Sequence, residues 1–480
     1  MDSAEFRKHG HDVVDWIADY LENADQYPVM SRSQPGQIRD LIPQHPPEQG
    51  EPMDEILADF KRDILPGVTH WNHPRFFAYF PANNSAPSIL GEMLSAGLGV
   101  NAMMWQTSPA ATELEERVMQ WLGQLIGLED KLPGGFHGVI QDTASTATLC
   151  ALVCAREKAT AFAVNSAGPD GLAGAGVLRI YTSTEAHSSV VKGAKVAGFG
   201  SENVVLVKVD DQLRMDPADL IAQIETDLAT GFIPCCVVAT VGTTGSTSID
   251  PLPFIGPIAR KFDLWLHVDA ALAGSAAIVP EYRWIFDGIE HADSLVFNPH
   301  KWLLTNFDCS AYFVKDPQHL ERAMTINPEY LKTNPDSVVN NYRDWGIPLG
   351  RRFRALKLWF VLRNYGAVRL REIISQHIDC AREFADWVDQ SDRWERLAPV
   401  PLNTVCFRWL PAGWENLAEE EIDRLNKELL DRVNAEGTIY LTHTRLFGKF
   451  TLRLAVGQTN TRREHVLQAW EVLNAMAEGK

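Results

Sequence analysis

The chain has 480 residues, with 44 basic and 62 acidic side chains, a formal charge of −18 and 45% hydrophobic residues. This length suits two or three units sharing a large core rather than one simple domain. The acidic balance disfavours non-specific binding to nucleic acid or an anionic membrane, so neither is an expected partner, and no apolar run of about 18 residues or more predicts a transmembrane helix.

The opening MDSAEFRKHGHD is polar and has no apolar centre, so no secretory signal is expected. Residues 4–24 predict an amphipathic helix with Val13, Val14, Ile17, Tyr20 and Leu21 on one stripe. A connector over 34–53 carries Pro35, Pro43, Pro46, Pro47 and Pro52, which predicts an extended arm. A second helix is expected over 53–64. Helix, arm and helix make no core of their own, so this part must pack on something else, and a second subunit is one candidate.

From about 110 to 315 apolar runs of strand length alternate with helical patterns. The runs are HGVIQ, VLRIYTS, NVVLVKV, CCVVATV, LWLHVDA, DSLVFN and SAYFV. Most are nearly continuous in hydrophobicity, as expected of strands covered on both faces, and the alternation predicts a mostly parallel, doubly wound α/β sheet. In such sheets ligands bind beyond the carboxyl ends of the strands, so chemistry is sought in the residues that follow each strand. The segment 323–345 is polar, contains two prolines and reads as a long lid-like loop. In the last hundred residues TVCFRWLP, TIYLTHTR and FTLRLAVG alternate in strand fashion between helices near 415–435 and 461–477, which predicts a smaller α+β domain.

The cysteines Cys150, Cys154, Cys235, Cys236, Cys309, Cys380 and Cys406 are odd in number and irregularly spaced. They predict free buried thiols in a reducing compartment, the cytoplasm, and no structural zinc site. His70 and His73 have a spacing that could serve a metal, but no third ligand is evident and none is expected. Asn83-Asn84-Ser85 matches a glycosylation sequon, which has no meaning without secretion.

Two residues carry the chemical reading. Asp269 closes the run LWLHVDA, and a carboxylate there is costly to bury unless it meets a cation or strong donors. Alone it could equally be a helix cap or half of a structural ion pair. Lys301 lies in SLVFNPHKWLL among few polar neighbours, where burial lowers an amine's pKa and makes it a nucleophile towards a carbonyl. Together they fit pyridoxal phosphate (PLP): the lysine forms a Schiff base with the aldehyde, and the carboxylate keeps the pyridine nitrogen protonated.

The strings THWNHPRFFAYFPA, SPAATELE, HVDAALAGS, FNPHKWLLTNFDCSA and IPLGRRFRALKLWF resemble the group II PLP-dependent decarboxylases, and within them the aromatic L-amino acid decarboxylases. The resemblance runs along nearly the whole chain. It implies PLP fold type I (aspartate-aminotransferase-like): a seven-stranded mostly parallel sheet, a small α+β C-terminal domain and an N-terminal helical segment. It further implies a homodimer with the active site at the subunit interface. The corresponding divisions are 1–85 for a helical dimerisation segment, 86–365 for the PLP-binding domain and 366–480 for the small domain.

The resemblance also implies roles. His187 would stack on the PLP ring. Thr143, Ala144 and Ser145 resemble the phosphate-binding turn, where the free N–H groups of a starting helix suit a dianion. Thr244, Asn298 and His300 would be further cofactor contacts. Trp71, Tyr79, Phe80 and Pro81 would form the pocket for the aromatic side chain, with Ala82, Met103 and Gly350. Tyr330, with His187, would return a proton to Cα after loss of CO2.

The implied reaction converts tryptophan, dihydroxyphenylalanine, tyrosine or phenylalanine to the arylalkylamine and CO2. The alternative is an aromatic acetaldehyde synthase, which also deaminates oxidatively. In the family a Phe at the loop tyrosine or an Asn at the stacking histidine accompanies that activity, and Tyr330 and His187 favour decarboxylation. An aminotransferase and a PLP-binding homologue without catalysis are further rivals. Gly350 resembles the residue found in indole-selective plant relatives. Ala82, Asp142, Leu272 and Met103 depart from the animal enzymes' pattern, and leave the preferred substrate open.

Overall fold

The computed structural model describes residues 1–173, 176–326 and 339–479. Its centre is a seven-stranded sheet of β1 (His137–Gln141), β2 (Leu178–Ser183), β3 (Val204–Val207), β4 (Ile233–Thr240), β5 (Trp265–Asp269), β6 (Ser294–Phe297) and β7 (Ser310–Val314). Their spatial order is β1-β7-β6-β5-β4-β2-β3. The pairs β2–β3, β2–β4, β4–β5 and β5–β6 are parallel, while β7 runs antiparallel to both β6 and β1. All seven expected strands are present.

Continuous hydrophobicity in these runs follows from burial on both faces. In β4, Val237 and Ala239 enter one apolar core while Cys236 and Val238 enter the other. In β5 and β6, Leu266, Val268, Leu295 and Phe297 face the first core, and Trp265 and Val296 the second. Successive side chains point to opposite faces, so a strand between two cores has no solvent-facing position to fill with polar residues. Helix Ala144–Ala159 covers one face, and Pro217–Ala229 and Leu252–Lys261 cover the other.

A second, antiparallel sheet is built of β8 (Trp394–Arg396), β9 (Thr404–Trp409), β10 (Thr442–Leu446) and β11 (Lys449–Ala455), in the order β10-β11-β9-β8. Helices Glu419–Glu436 and Arg463–Ala477 pack with it over their own core. The helical span Arg354–Asp389 reaches from the large sheet's cover to this sheet, and breaks at Gly366 (φ 65°, ψ 167°). A residue with a Cβ is strained at such a positive φ.

The N-terminal helix is Ser3–Glu22, capped by a reciprocal pair: Asp2 accepts from the Glu5 N–H, and the Glu5 carboxylate accepts from the Asp2 N–H. None of its residues is buried in the chain. The arm expected over 34–53 is not wholly extended, because Gln37–Leu41 makes a short helix between its prolines. The next helix is α-helical over Met53–Asp59 and widens over Phe60–Ile64. The stretch TEAHSSVVKGAKVAG is helical only over Ser189–Val196. Tyr330 and most of the predicted lid fall outside the described residues.

Candidate active site

The carboxyl ends of the strands converge on one cavity of about 210 Å³. After β1 the chain turns at Thr143, whose hydroxyl accepts from the Thr146 N–H and caps helix Ala144–Ala159. The amides of Ala144 and Ser145 are thereby left at a helix N-terminus, where uncommitted N–H groups and the helix dipole favour an anion. Strand β5 ends at Asp269, buried and paired in register with Thr240 and Val296, with one carboxylate oxygen accepting from the Ala271 N–H at 3.0 Å. After β6, Asn298 leads into the single turn Pro299–Trp302 that carries His300 and Lys301.

All nine residues expected to hold the cofactor line this cavity: Thr143, Ala144, Ser145, His187, Thr244, Asp269, Asn298, His300 and Lys301. Thr240, Ala271 and Phe307 line it as well, though nothing in the sequence singled them out. Thr240 and Ala271 sat at the ends of recognised strands. Phe307 carried no signal beyond its nearness to Lys301; its ring now lies 4.6 Å from that of His300.

The electrostatics follow from burial and a few local charges. Burial lowers the Lys301 ammonium below the ordinary lysine value; Asp269 opposes this and Arg453 adds to it. Burial likewise lowers the His187 imidazole, against the pull of Asp269 and with the push of Lys301. Both the Ser189 N–H (3.1 Å) and the Ser189 hydroxyl (2.8 Å) meet His187 Nδ1, so the neutral ring carries its proton on Nε2. His300 is fixed in the same way. Its Nδ1 accepts from the Cys309 N–H at 2.9 Å, and burial pushes its pKa down to about 3. The Asn298 side-chain oxygen accepts from the Ser310 hydroxyl at 2.6 Å.

The cavity borders a larger cleft of about 920 Å³, with which it shares Phe80, His187, Thr244 and Lys301. Trp71 and Tyr79 line the cleft, stacked with centroids 5.7 Å apart, and Tyr440 meets Tyr79 edge-on. Arg453 from β11 also lines it. This buried guanidinium donates to the carbonyls of Tyr79 (2.8 Å) and Gly245 (2.9 Å), and its Nη2 has no hydrogen-bond partner among the described residues. Tyr79 holds φ at 53°, a strained conformation for an aromatic residue.

The remaining pocket candidates are placed differently. Pro81 and Ala82 continue the chain from Phe80, and Pro81 packs where a Cβ on Gly457 would fall. Met103 and Gly350 line neither the cavity nor the cleft. They meet instead at Asn101, whose Nδ2 lies 3.7 Å from Met103 Sδ and 3.6 Å from where a Cβ on Gly350 would be. Among the described residues His70 and His73 form no cluster of metal-ligating groups; His70 Nδ1 pairs with the Tyr20 hydroxyl at 2.9 Å. The seven cysteines are free and buried. No helix among the described residues is long and apolar enough to cross a membrane.

A profile of the pyridoxal-dependent decarboxylase conserved domain matches residues 35–410. The chain belongs to the pyridoxal-dependent decarboxylases. It is 45% identical to the phenylacetaldehyde synthase of Arabidopsis thaliana over 99% of its own length and 96% of that protein. The crystal structure of Catharanthus roseus tryptophan decarboxylase with L-tryptophan superposes with a TM-score of 0.92 at 42% identity, covering 100% of this chain and 99% of that one. That of the Oryza sativa TDC with PLP and tryptamine gives 0.95 at 38%, with the same coverage.

The cofactor of this decarboxylase is PLP, and the cavity's donor set suits it. Two amides at a helix N-terminus match a phosphate, and a buried lysine amine matches an aldehyde. A buried carboxylate matches a protonated ring nitrogen. Among the described residues the buried hydroxyl of Thr240, a residue of the cavity wall, has no hydrogen-bond partner, as expected where a polar ligand completes the wall.

Proposed function

We propose that this decarboxylase converts an aromatic L-amino acid to the arylalkylamine and CO2, as a cytoplasmic homodimer. The carrying observation is that Lys301, Asp269 and His187 bound the same cavity as the helix N-terminus at Thr143, Ala144 and Ser145. Bound PLP supplies the electron sink for the broken Cα–carboxylate bond, and the chain's own residues supply everything else.

Lys301 would anchor the aldehyde end, and burial lowers its pKa towards the neutral, nucleophilic amine. Asp269 holds a proton on the ring nitrogen. Thr143, Ala144 and Ser145 hold the phosphate, while Thr244, Asn298 and His300 complete the contacts. His187 lines the cavity with its Nε2–H available and would orient the departing carboxylate, and Tyr330 would return the proton to Cα. Trp71, Tyr79, Phe80, Pro81 and Ala82 receive the aromatic side chain. Arg453, a cation lining the cleft, is suited to an anionic group of the substrate.

The dimer explains what one chain leaves exposed. Leu90, Met93, Leu94 and Leu98 recur at helical spacing along Ala86–Leu98 and are 50, 42, 52 and 61% exposed. An apolar stripe of this kind marks an interface. A partner subunit covering it would also bring in Met103 and Gly350, which then complete the neighbour's substrate pocket rather than their own.

The second reading is an aromatic acetaldehyde synthase, favoured by the 45% identity to the Arabidopsis phenylacetaldehyde synthase. Purified protein with PLP, offered each aromatic amino acid, separates the two. Equimolar amine and CO2 without hydrogen peroxide supports decarboxylation alone. Aldehyde, ammonia and peroxide in step with CO2 would replace it with the second reading.

A further inference from the structure

The sequon Asn83-Asn84-Ser85 has a different use in the folded chain. Asn83 is only 2% exposed, which rules out a surface attachment site. Its side chain has two N–H donors and an acceptor oxygen, and each is committed. Nδ2 donates to the carbonyl of Lys301 and to that of Gly457, both at 2.7 Å. Oδ1 accepts from the Thr459 N–H at 2.9 Å and from the Thr459 hydroxyl at 3.0 Å, a hydroxyl that also reaches the Asn84 carbonyl at 2.7 Å. The Asn83 backbone N–H donates to the His300 carbonyl at 3.0 Å.

One residue therefore ties three distant segments: its own, which follows the pocket residues Phe80 and Pro81; the turn that carries Lys301; and the chain leaving β11 of the small domain. The Lys301 N–H already donates to Asn298 at 2.9 Å. With its carbonyl held by Asn83, the peptide on each side of the Lys301 Cα is fixed, and so is the direction in which its side chain enters the cavity.

We infer that Asn83 is a positioning residue that aims Lys301 at the cofactor aldehyde and links that aim to the small domain. The inference rests on Lys301 being the cofactor-bearing lysine. Asn83 touches neither substrate nor cofactor and acts through the Lys301 backbone. In a rigid site an error of about 1 Å in the reacting amine costs on the order of 10²-fold in rate. Asn83→Asp keeps the shape but points an oxygen at two carbonyls, so it is the sharper variant; Asn83→Ala simply removes the ties.

The experiment uses the holoenzyme. Asn83→Ala and Asn83→Asp are compared with the native protein in the pH titration of the bound cofactor's absorbance, in the rate of borohydride fixation of the pyridoxyl group, and in kcat and KM separately. The expected result is a displaced titration, slower fixation and a kcat lower by about 10²-fold with KM little changed. Thr459→Val, which removes the hydroxyl that meets both Asn83 Oδ1 and the Asn84 carbonyl, gives smaller changes in the same direction and serves should the Asn83 variants not fold. If the variants melt at lower temperature but keep the native titration, fixation rate and kcat, Asn83 is merely structural and the inference is overturned. It is overturned equally if Thr459→Val is the one variant to fold and leaves all three readouts native. Native protein in which borohydride fixes nothing on Lys301 defeats the functional reading itself, a distinguishable outcome.

Discussion

Lys301 and Arg453 lie against one aromatic ring: Nζ of the former is 5.2 Å, and Cζ of the latter 4.8 Å, from the centroid of Phe80. The ring is buried, and its electron-rich faces attract cations that have little water around them. Burial lowers both groups, Arg453 to about 10. Phe80 thus contacts two like charges while lining both cavity and cleft. Phe80→Leu should destabilise the holoenzyme by about 1–3 kcal/mol, combining lost ring volume with lost cation–π attraction. Urea unfolding in saturating PLP measures it.

In the proposed roles Asp269 would act on the electron sink itself, whereas each pocket aromatic would contribute to binding. Asp269→Asn should therefore lower kcat by about 10²-fold or more, the scale for removing a preorganised charge at a reacting centre. Trp71→Phe, which keeps an aromatic at the cleft, should chiefly raise KM. Steady-state kinetics at saturating PLP compares them.

His187 presents Nε2–H because Ser189 occupies Nδ1. His187→Asn removes the ring, and by family resemblance should divert turnover towards aldehyde. The ratio of hydrogen peroxide to amine, expected near zero for the native protein, should rise in the variant.

His377 is buried, and its Nδ1 accepts from the indole N–H of Trp302 at 3.0 Å, directly beside Lys301. Burial depresses its pKa from 6.5 to about 4. Between these values the unfolded chain binds the proton and the folded chain does not. This contribution to stability is therefore complete above the unfolded value and is lost as pH falls towards about 4, at up to about 1.4 kcal/mol per pH unit. His377→Asn keeps an acceptor for Trp302 without titrating, so its melting temperature should fall less steeply than the native protein's on acidification from about pH 7 to pH 5.

The apolar stripe of helix Ala86–Leu98 predicts an assembly requirement. Leu94→Glu with Leu98→Glu places two charges on side chains 52 and 61% exposed in the single chain, so monomer folding should be little affected. Sedimentation should show dissociation to monomers, and activity should fall with it, since in the proposed dimer Met103 and Gly350 would no longer reach a neighbouring cleft.

The large sheet was legible because strands between two cores must be apolar along their length, as in CCVVATV and LWLHVDA. The cavity wall was legible because its residues follow those strands directly. β8 escaped notice because Trp394–Arg396 is too short to alternate. Arg453 could have been suspected, since an arginine in the otherwise apolar run FTLRLA is costly unless its donors are satisfied. Its partners at Tyr79 and Gly245 lie hundreds of residues away, and no local pattern reveals them. Asn83 shows the same limit. As a string it looked like a surface sequon, and only folding brings it to the Lys301 carbonyl. Met103 and Gly350 entered through resemblance alone, and neither lines the cavity or the cleft of its own chain.

The central claim is that Lys301 carries the cofactor in a cavity closed by Asp269. Holoenzyme reduced with borohydride, digested and mapped by mass spectrometry tests it most directly. One pyridoxyl group per chain is expected, on Lys301, with none in Lys301→Ala. A pyridoxyl group on another lysine such as Lys357, or none on any, would contradict it.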